Sequence, residues 1–131
     1  KNHNRIHNIA RGGELISGVY QPGDVFDGNK IMGPYNKGKG YLIAGALSDG
    51  TASKAYGGGT CQVSSTLYNA LLQLPGINIL YRRAHGEDAA VGNKTQNLRW
   101  RNDYDFPIRV EAHTSGDGAL CMLIYRVYDE K

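Results

Sequence analysis

The sequence predicts an α+β single domain in which two main helices pack on a largely antiparallel sheet. Two apolar stretches have helical spacing, one within the first 17 residues and one directly after three consecutive glycines. Several later stretches are rich in β-forming residues, and the last two are joined by the turn sequence Ser115–Gly118. With 131 residues, of which 40% are hydrophobic, the chain can close one core of its own.

The first half of the chain contains the first helix and short extended segments. Residues 2–17 have apolar side chains at helical spacing, weakened at Gly12-Gly13, and Gly18 is a natural end for this helix. We expect short strands at 19–20 and 24–26, separated by a turn at Pro22-Gly23, then a polar loop over 27–40 and a strand over 41–47.

The second helix should run from Cys61 to about Leu74, because Pro75-Gly76 ends it. One face of this segment is apolar, with Val63, Leu67, Ala70, Leu71 and Leu74. Another face carries Cys61, Ser64, Ser65 and Tyr68. Strands are expected at 77–81, 97–101, 108–112 and 120–127.

Charge and hydropathy argue against nucleic-acid binding and against a membrane-spanning segment. The net charge of +3, from 15 basic and 12 acidic side chains, is weak support for nucleic-acid binding. The basic pairs at 82–83 and in 99–101 are therefore expected on solvated faces. No apolar run approaches the roughly 20 residues that span a bilayer, and the first residues are not a secretory leader. We expect one domain over residues 1–131, excised from a longer exported or membrane-tethered protein.

The cysteine and histidine content predicts no cofactor and no metal site. Two cysteines are too few for a disulfide framework or a cysteine-rich zinc site. His3 and His7 are spaced to share a metal, but we expect a solvated face there. Cys121 alternates with apolar residues and is predicted to pack in the core. A disulfide between Cys61 and Cys121 would leave Cys61 unable to act as a nucleophile.

Cys61 has the position of an activated thiol. We expect Thr60 to cap the helix with its hydroxyl and Cys61 to be the first helical residue. The helix dipole and the unpaired amides there favour the thiolate, and they can hold an oxyanion. The glycines at 57–59 would let a substrate strand approach closely. The alternative is a small buried cysteine beside a glycine turn. A phosphate-binding loop is disfavoured, because the Gly-Lys-Ser/Thr ending is missing.

The stretch GGGTCQVSSTLYNALL, from Gly57 to Leu72, resembles the signature GGGxCQxSxTLYNA of the VanW domain family. Arg82–His85 is similar to the family's R-x-x-H element, and Gly86–Val91 to its G-x-DA-x-V element. Asn8, the stretch 22–26 and the closing strands agree as well, so the resemblance covers nearly the whole chain. One departure is that His85 directly adjoins Gly86, where the family usually has several intervening residues.

The resemblance implies a function in the bacterial cell wall. Members occur in vancomycin-resistance clusters and in exported proteins, and some are regarded as peptidoglycan L,D-transpeptidases. By analogy, Cys61 is the nucleophile that forms an acyl-enzyme with a peptidoglycan stem peptide, His85 is the base and Asp88 orients it. Substrate binding is expected at Gly58, Gly59, Thr60, Gln62, Ser64 and Arg82. Two alternatives stay open: a non-catalytic peptidoglycan-binding or wall-assembly module, and an L,D-carboxypeptidase or amidase that uses water.

Overall fold

The computed structural model describes residues 3–48, 51–83 and 97–128. They form one small α+β domain, as predicted. In chain order its elements are α1 (His3–Ile16), β1 (Gly18–Tyr20), β2 (Val25–Asp27), α2 (Gly28–Met32), a 3₁₀ turn (Lys37–Lys39), β3 (Ile43–Ser48), β4 (Thr51–Tyr56), α3 (Thr60–Leu71), β5 (Ile77–Arg83), β6 (Asn97–Asn102), β7 (Ile108–Thr114) and β8 (Leu120–Arg126).

All strand pairs in the described part of the chain are antiparallel, which confirms the predicted sheet type. One sheet has the order β1-β7-β8, a second has the order β2-β6-β5, and β3 and β4 form a separate hairpin. The short strands of the N-terminal half pair with strands near the C-terminus, so that Val19 lies opposite Arg109 and Phe26 opposite Trp100. These long-range pairs close the domain.

Helix α1 continues through Gly12-Gly13, where the sequence predicted a weak point. A methyl group on Gly13 would lie 2.8 Å from Cβ of Ala112 on β7. One on Gly12 would lie 3.3 Å from Sδ of Met32 on α2. The two glycines therefore let α1 pack closely against its neighbours, and that packing offsets their low helix propensity.

The predicted loop over 27–40 is partly helical, and one strand was not predicted. Asp27 caps α2, since its side chain accepts a hydrogen bond from the Lys30 amide at 3.3 Å. Strand β4 escaped prediction because its sequence, TASKAY, is mostly small and polar. It pairs with β3 along its whole length, from Ile43 opposite Tyr56 to Ser48 opposite Thr51.

The core joins an aromatic cluster to the apolar faces of the two long helices. Trp100 is fully buried, stacks on Phe26 at a centroid distance of 5.2 Å and contacts Tyr20 at 5.0 Å. Helix α3 contributes Val63, Leu67 and Leu71 to this core. All three are buried, as predicted for the apolar face of the helix. None of the helices described is both long and apolar enough to cross a bilayer.

The orientation of β8 differs from the prediction. Ile124 lies opposite the buried Val110, so Ile124, Met122 and Leu120 face the core. Cys121 is offset from Ile124 by an odd number of residues and is exposed. The expectation that Cys121 packs in the core was wrong, because both faces of this strand carry apolar side chains and alternation alone does not choose between them.

Candidate functional site

The glycine loop connects the end of β4 to the start of α3. Gly57 and Gly59 have φ angles of 84° and 106°, which side-chain-bearing residues rarely adopt. Gly58 is pressed against β3, and a methyl group on it would lie 2.5 Å from the carbonyl oxygen of Ala44. We expected these glycines to leave space for a substrate strand. Intramolecular packing already requires each of them, and Gly58 is buried.

Asn8 fixes the loop from the side of α1. Its side chain is fully buried and donates hydrogen bonds to the carbonyl oxygens of Leu42, at 2.8 Å, and Gly58, at 3.0 Å. It also accepts a hydrogen bond of 2.8 Å from the Leu42 amide. One amide group thus joins α1, the start of the β3–β4 hairpin and the glycine loop. The backbone that leads to Cys61 is thereby held in one place.

Helix α3 begins one residue earlier than predicted. Its N-cap is Gly59, which has no side chain with which to cap the helix. Thr60 is the first helical residue, and its buried hydroxyl donates to the carbonyl oxygen of Gly57 at 2.9 Å. The expectation that Thr60 caps the helix was wrong, because its hydroxyl closes the glycine turn behind it. Cys61 is the second residue of the helix, followed by Gln62, which is exposed, and Ser64, which is half-buried.

The Cys61 thiol is half-buried and forms no disulfide with Cys121. Burial raises the pKa of this thiol, and the nearby positive charges of Arg82 and Arg5 act in the opposite direction. Burial outweighs the two arginines, so the resting group at neutral pH is the thiol. We expected the amides at the helix start to favour the thiolate. The difference arises because removing the sulfur from water penalises its charged form.

Arg82, for which the resemblance implies a role in substrate binding, lies along the same face of α3 as Cys61. Its Nη2 donates a hydrogen bond of 3.1 Å to Oγ of Ser65, and its guanidinium carbon lies 4.6 Å above the ring of Tyr68. Ser65 and Tyr68 follow Cys61 by one and two helical turns, at spacings that share a face. Strand β5 is therefore tied to α3 beside the thiol.

His85 and Asp88, the predicted base and its orienting carboxylate, lie outside the described residues. The described part of β5 ends at Arg83, two residues before His85. Of the side chains predicted for the site, the structure places Cys61 and Arg82 in one electrostatic neighbourhood.

Two residues of the site were not predicted. Arg5 of α1 packs against the glycine loop, so that a methyl group on Gly59 would lie 2.9 Å from its Cγ. Tyr35 packs on Gly57 and donates a hydrogen bond of 3.2 Å to Oδ1 of Asn29. Burial raises the pKa of Tyr35 far above its usual value, with a smaller contribution from Cys61, and this phenol stays protonated. Neither residue belongs to a motif, so only the folded chain reveals them.

Two histidines of the described segments have contacts away from this site. Nε2 of His7 lies 2.7 Å from the carbonyl oxygen of Gly40, and Nε2 of His113 lies 3.1 Å from Oε1 of Glu111. Within those segments, no group of three or more histidine, cysteine or acidic side chains is arranged to hold a metal ion.

Comparison with known proteins gives a consistent result. The sequence model of the family described as VanW like protein matches residues 4–125. A protein of Bacillus subtilis strain 168, described as the uncharacterized protein YoaR, is 34% identical in an alignment 134 residues long that covers 95% of this chain. The chain spans 44% of the length of that relative. No solved structure matches.

Proposed function

The chain belongs to the VanW family, and we propose that it is a peptidoglycan-modifying cysteine acyltransferase. The proposed activity is that of an L,D-transpeptidase, which joins two stem peptides through a 3–3 cross-link. Its substrates are peptidoglycan stem peptides, so its proposed place is outside the cytoplasmic membrane, at the cell surface or wall.

The observation that carries this proposal is the position of Cys61. Its thiol lies in the first turn of α3, behind a loop that Asn8 and three glycines hold in a single conformation. Two arginines from other elements act on its charge. A nucleophile needs a fixed position and a means of ionisation. The loop contacts fix the position of the thiol, and the two arginines favour its ionised form in part.

The proposed reaction has two steps. The sulfur of Cys61 attacks the carbonyl carbon of the third residue of a donor stem while its proton passes to a base, for which we propose His85. That proton then goes to the nitrogen of the terminal D-alanine, which leaves as the free amino acid, and a thioester remains on Cys61. The neutral side-chain amine of a second stem then attacks the thioester carbonyl and forms the new amide bond. The base takes the proton that this amine loses and returns it to the departing sulfur, so that Cys61 is regenerated as the thiol.

Because burial raises the pKa of Cys61, this chemistry requires a base that ionises the thiol during the attack. His85 follows the end of β5 closely in sequence, and Arg82 ties that strand to α3 beside Cys61. The closeness of β5 to Cys61 supports His85 as the base. Asp88, three residues further along the chain, is proposed as the carboxylate that orients it.

The same pKa shift favours a second candidate, a non-catalytic module that binds peptidoglycan or a wall-assembly partner. A protonated, half-buried thiol is typical of a packing cysteine. An L,D-carboxypeptidase would use the same acyl-enzyme with water as the acceptor.

Intact-mass spectrometry after incubation with a defined stem tetrapeptide tests the proposal. We expect an adduct with the mass of the donor minus one alanine in the wild type and in Cys121→Ser. We expect none in Cys61→Ala, provided that its circular dichroism matches the wild type. An unmodified wild-type protein that still binds the tetrapeptide would indicate the binding module. An adduct resolved by water alone would indicate the carboxypeptidase.

A further inference from the structure

Two guanidinium groups from distant parts of the chain converge on the surroundings of Cys61. Arg5 comes from the first turns of α1 and packs on Gly59, two residues before the cysteine. Arg82 comes from β5 and lies on the face of α3 that carries Cys61. Both act on the thiol with the same sign, and both favour a negative charge there.

Neither arginine is neutralised by an acidic side chain in the part of the chain that the structure describes. The ion pairs found there join Arg11 to Glu14, Arg101 to Asp103 and His113 to Glu111. Within the described residues, Arg82 donates one hydrogen bond through Nη2 to the neutral hydroxyl of Ser65, and a guanidinium carries five N–H donors. Arg5 is exposed to solvent. Among the described residues, the charged side chains that act on the thiol are therefore both positive.

The guanidinium carbon of Arg82 lies over the Tyr68 ring, 4.6 Å from its centroid, and this contact together with the hydrogen bond to Ser65 positions the group. A planar guanidinium fixed in this way is suited to carboxylates, which it binds through two parallel hydrogen bonds. A lysine would offer only a point charge. The geometry thus favours a planar anion over a diffuse counterion.

We propose that Arg5 and Arg82 form a carboxylate-binding pair beside Cys61 that selects donor peptides ending in a free α-carboxylate one residue beyond the attacked carbonyl. The identity of the donor rests on the proposed function, whereas the anion preference of the pair does not. In such a donor the carboxylate is separated from the attacked carbon by only one amide nitrogen and one α-carbon. It therefore lies within about 4 Å of that carbon, close enough for groups around the sulfur to bind it. The pair would exclude donors whose end is amidated or extended.

Paired alkylation with iodoacetate and iodoacetamide tests the anion preference without any peptide. The two reagents form the same thioether linkage and release iodide, but only iodoacetate carries a carboxylate. The ratio of their rate constants is independent of the thiolate fraction, because both react with the same thiolate. We use Cys121→Ser to isolate Cys61, and Cys61→Ser to isolate the exposed Cys121 as the reference thiol.

We expect the iodoacetate-to-iodoacetamide ratio at Cys61 to be about tenfold higher than at Cys121, which is the effect of one charge-assisted hydrogen bond. Arg5→Gln and Arg82→Gln should each lower the ratio, and Arg82→Lys should keep part of it. Arg5 is exposed, so its variant is expected to fold normally. Equal ratios at the two cysteines, unchanged by either substitution, would overturn the proposal.

Donor peptides separate this inference from the proposed function. We expect a tetrapeptide with a free C-terminus to acylate Cys61 at least tenfold faster than the same peptide with a C-terminal amide. Equal acylation by both would keep the acyltransferase and reject the carboxylate pair. If neither peptide reacts, the acyltransferase proposal fails, and the alkylation ratio alone decides whether the pair prefers anions.

Discussion

Asn8 donates a hydrogen bond of 3.0 Å to the carbonyl oxygen of Gly58, which lies 50 positions further along the chain. This bond joins the first helix to the loop that positions Cys61. It also explains why Asn8 and the glycine loop belong to one site, although no local pattern in the sequence connects them.

Asn8→Ala should destabilise the protein by about 2–4 kcal/mol. The substitution removes three hydrogen bonds in a buried environment and leaves the polar groups of Leu42 and Gly58 without these partners. Denaturant unfolding measures the loss. Asn4→Ala is the matched control, because Asn4 lies on the same helix, is exposed and donates a hydrogen bond of 2.8 Å to the Ile43 carbonyl oxygen. Equal losses in both variants would contradict the role given to Asn8.

Gly58→Ala should be strongly destabilising, by about 3 kcal/mol or more. Its new methyl group would lie 2.5 Å from the carbonyl oxygen of Ala44, and backbone on both sides must move to admit it. Gly116→Ala serves as the control, since a methyl group there meets no atom within 4 Å. The midpoint of thermal unfolding compares the two. A wild-type midpoint for Gly58→Ala would show that the loop is not packed as described.

Arg82→Gln should shift the pH dependence of Cys61 alkylation to higher pH. Burial raises the pKa of the Cys61 thiol, and the positive charge of Arg82 lowers it. Removing that charge should therefore raise the pKa further. The measurement is the rate with iodoacetamide across pH in the Cys121→Ser background. Arg101→Gln is the control, because Arg101 bonds to Asp103 on the surface. A profile that moves equally in both variants would indicate a general charge effect.

The protein should lose stability between about pH 10 and pH 12. Burial is the largest cause that raises the pKa of Tyr20 and of Tyr41 from 10.0 to about 12. In the unfolded chain these phenols ionise near pH 10, so the unfolded state binds fewer protons than the folded state in this interval. The contribution of these two tyrosines to the free energy of unfolding is therefore complete below pH 10 and is lost as the pH rises through 12. Phenolate absorbance and circular dichroism should change together, and early ionisation of both tyrosines without unfolding would refute this.

Trp100→Phe should cost about 2 kcal/mol less than Trp100→Ala. Both substitutions remove volume from the core, but phenylalanine keeps most of the stacking on Phe26. Nε1 of Trp100 is buried without a hydrogen-bond partner among the described residues, so replacing it also removes an unpaired donor. Denaturant unfolding followed by circular dichroism gives the comparison. Equal costs would indicate that the ring makes no specific contact.

Much of the second half of the fold could be predicted from the sequence. Helix α3 and strands β5, β6, β7 and β8 have clear local patterns, and each was predicted within a few residues of its observed bounds. Strand β4 lacks such a pattern, and its partner β3 holds it in place. Cys121 shows the limit of periodicity, because an alternating strand does not state which of its faces the helices cover.

The sequence by itself determined the α+β class, the family and the cysteine in the first turn of its helix, because propensity and motif are properties of neighbouring residues. Only the tertiary structure decided that Gly58 packs against β3, that Thr60 closes a turn, and that Arg5, Tyr35 and Arg82 surround the thiol. The pKa of Cys61 follows from the same contacts. It depends on how much water the folded chain excludes and which charges it brings near, and both are set by residues distant in sequence.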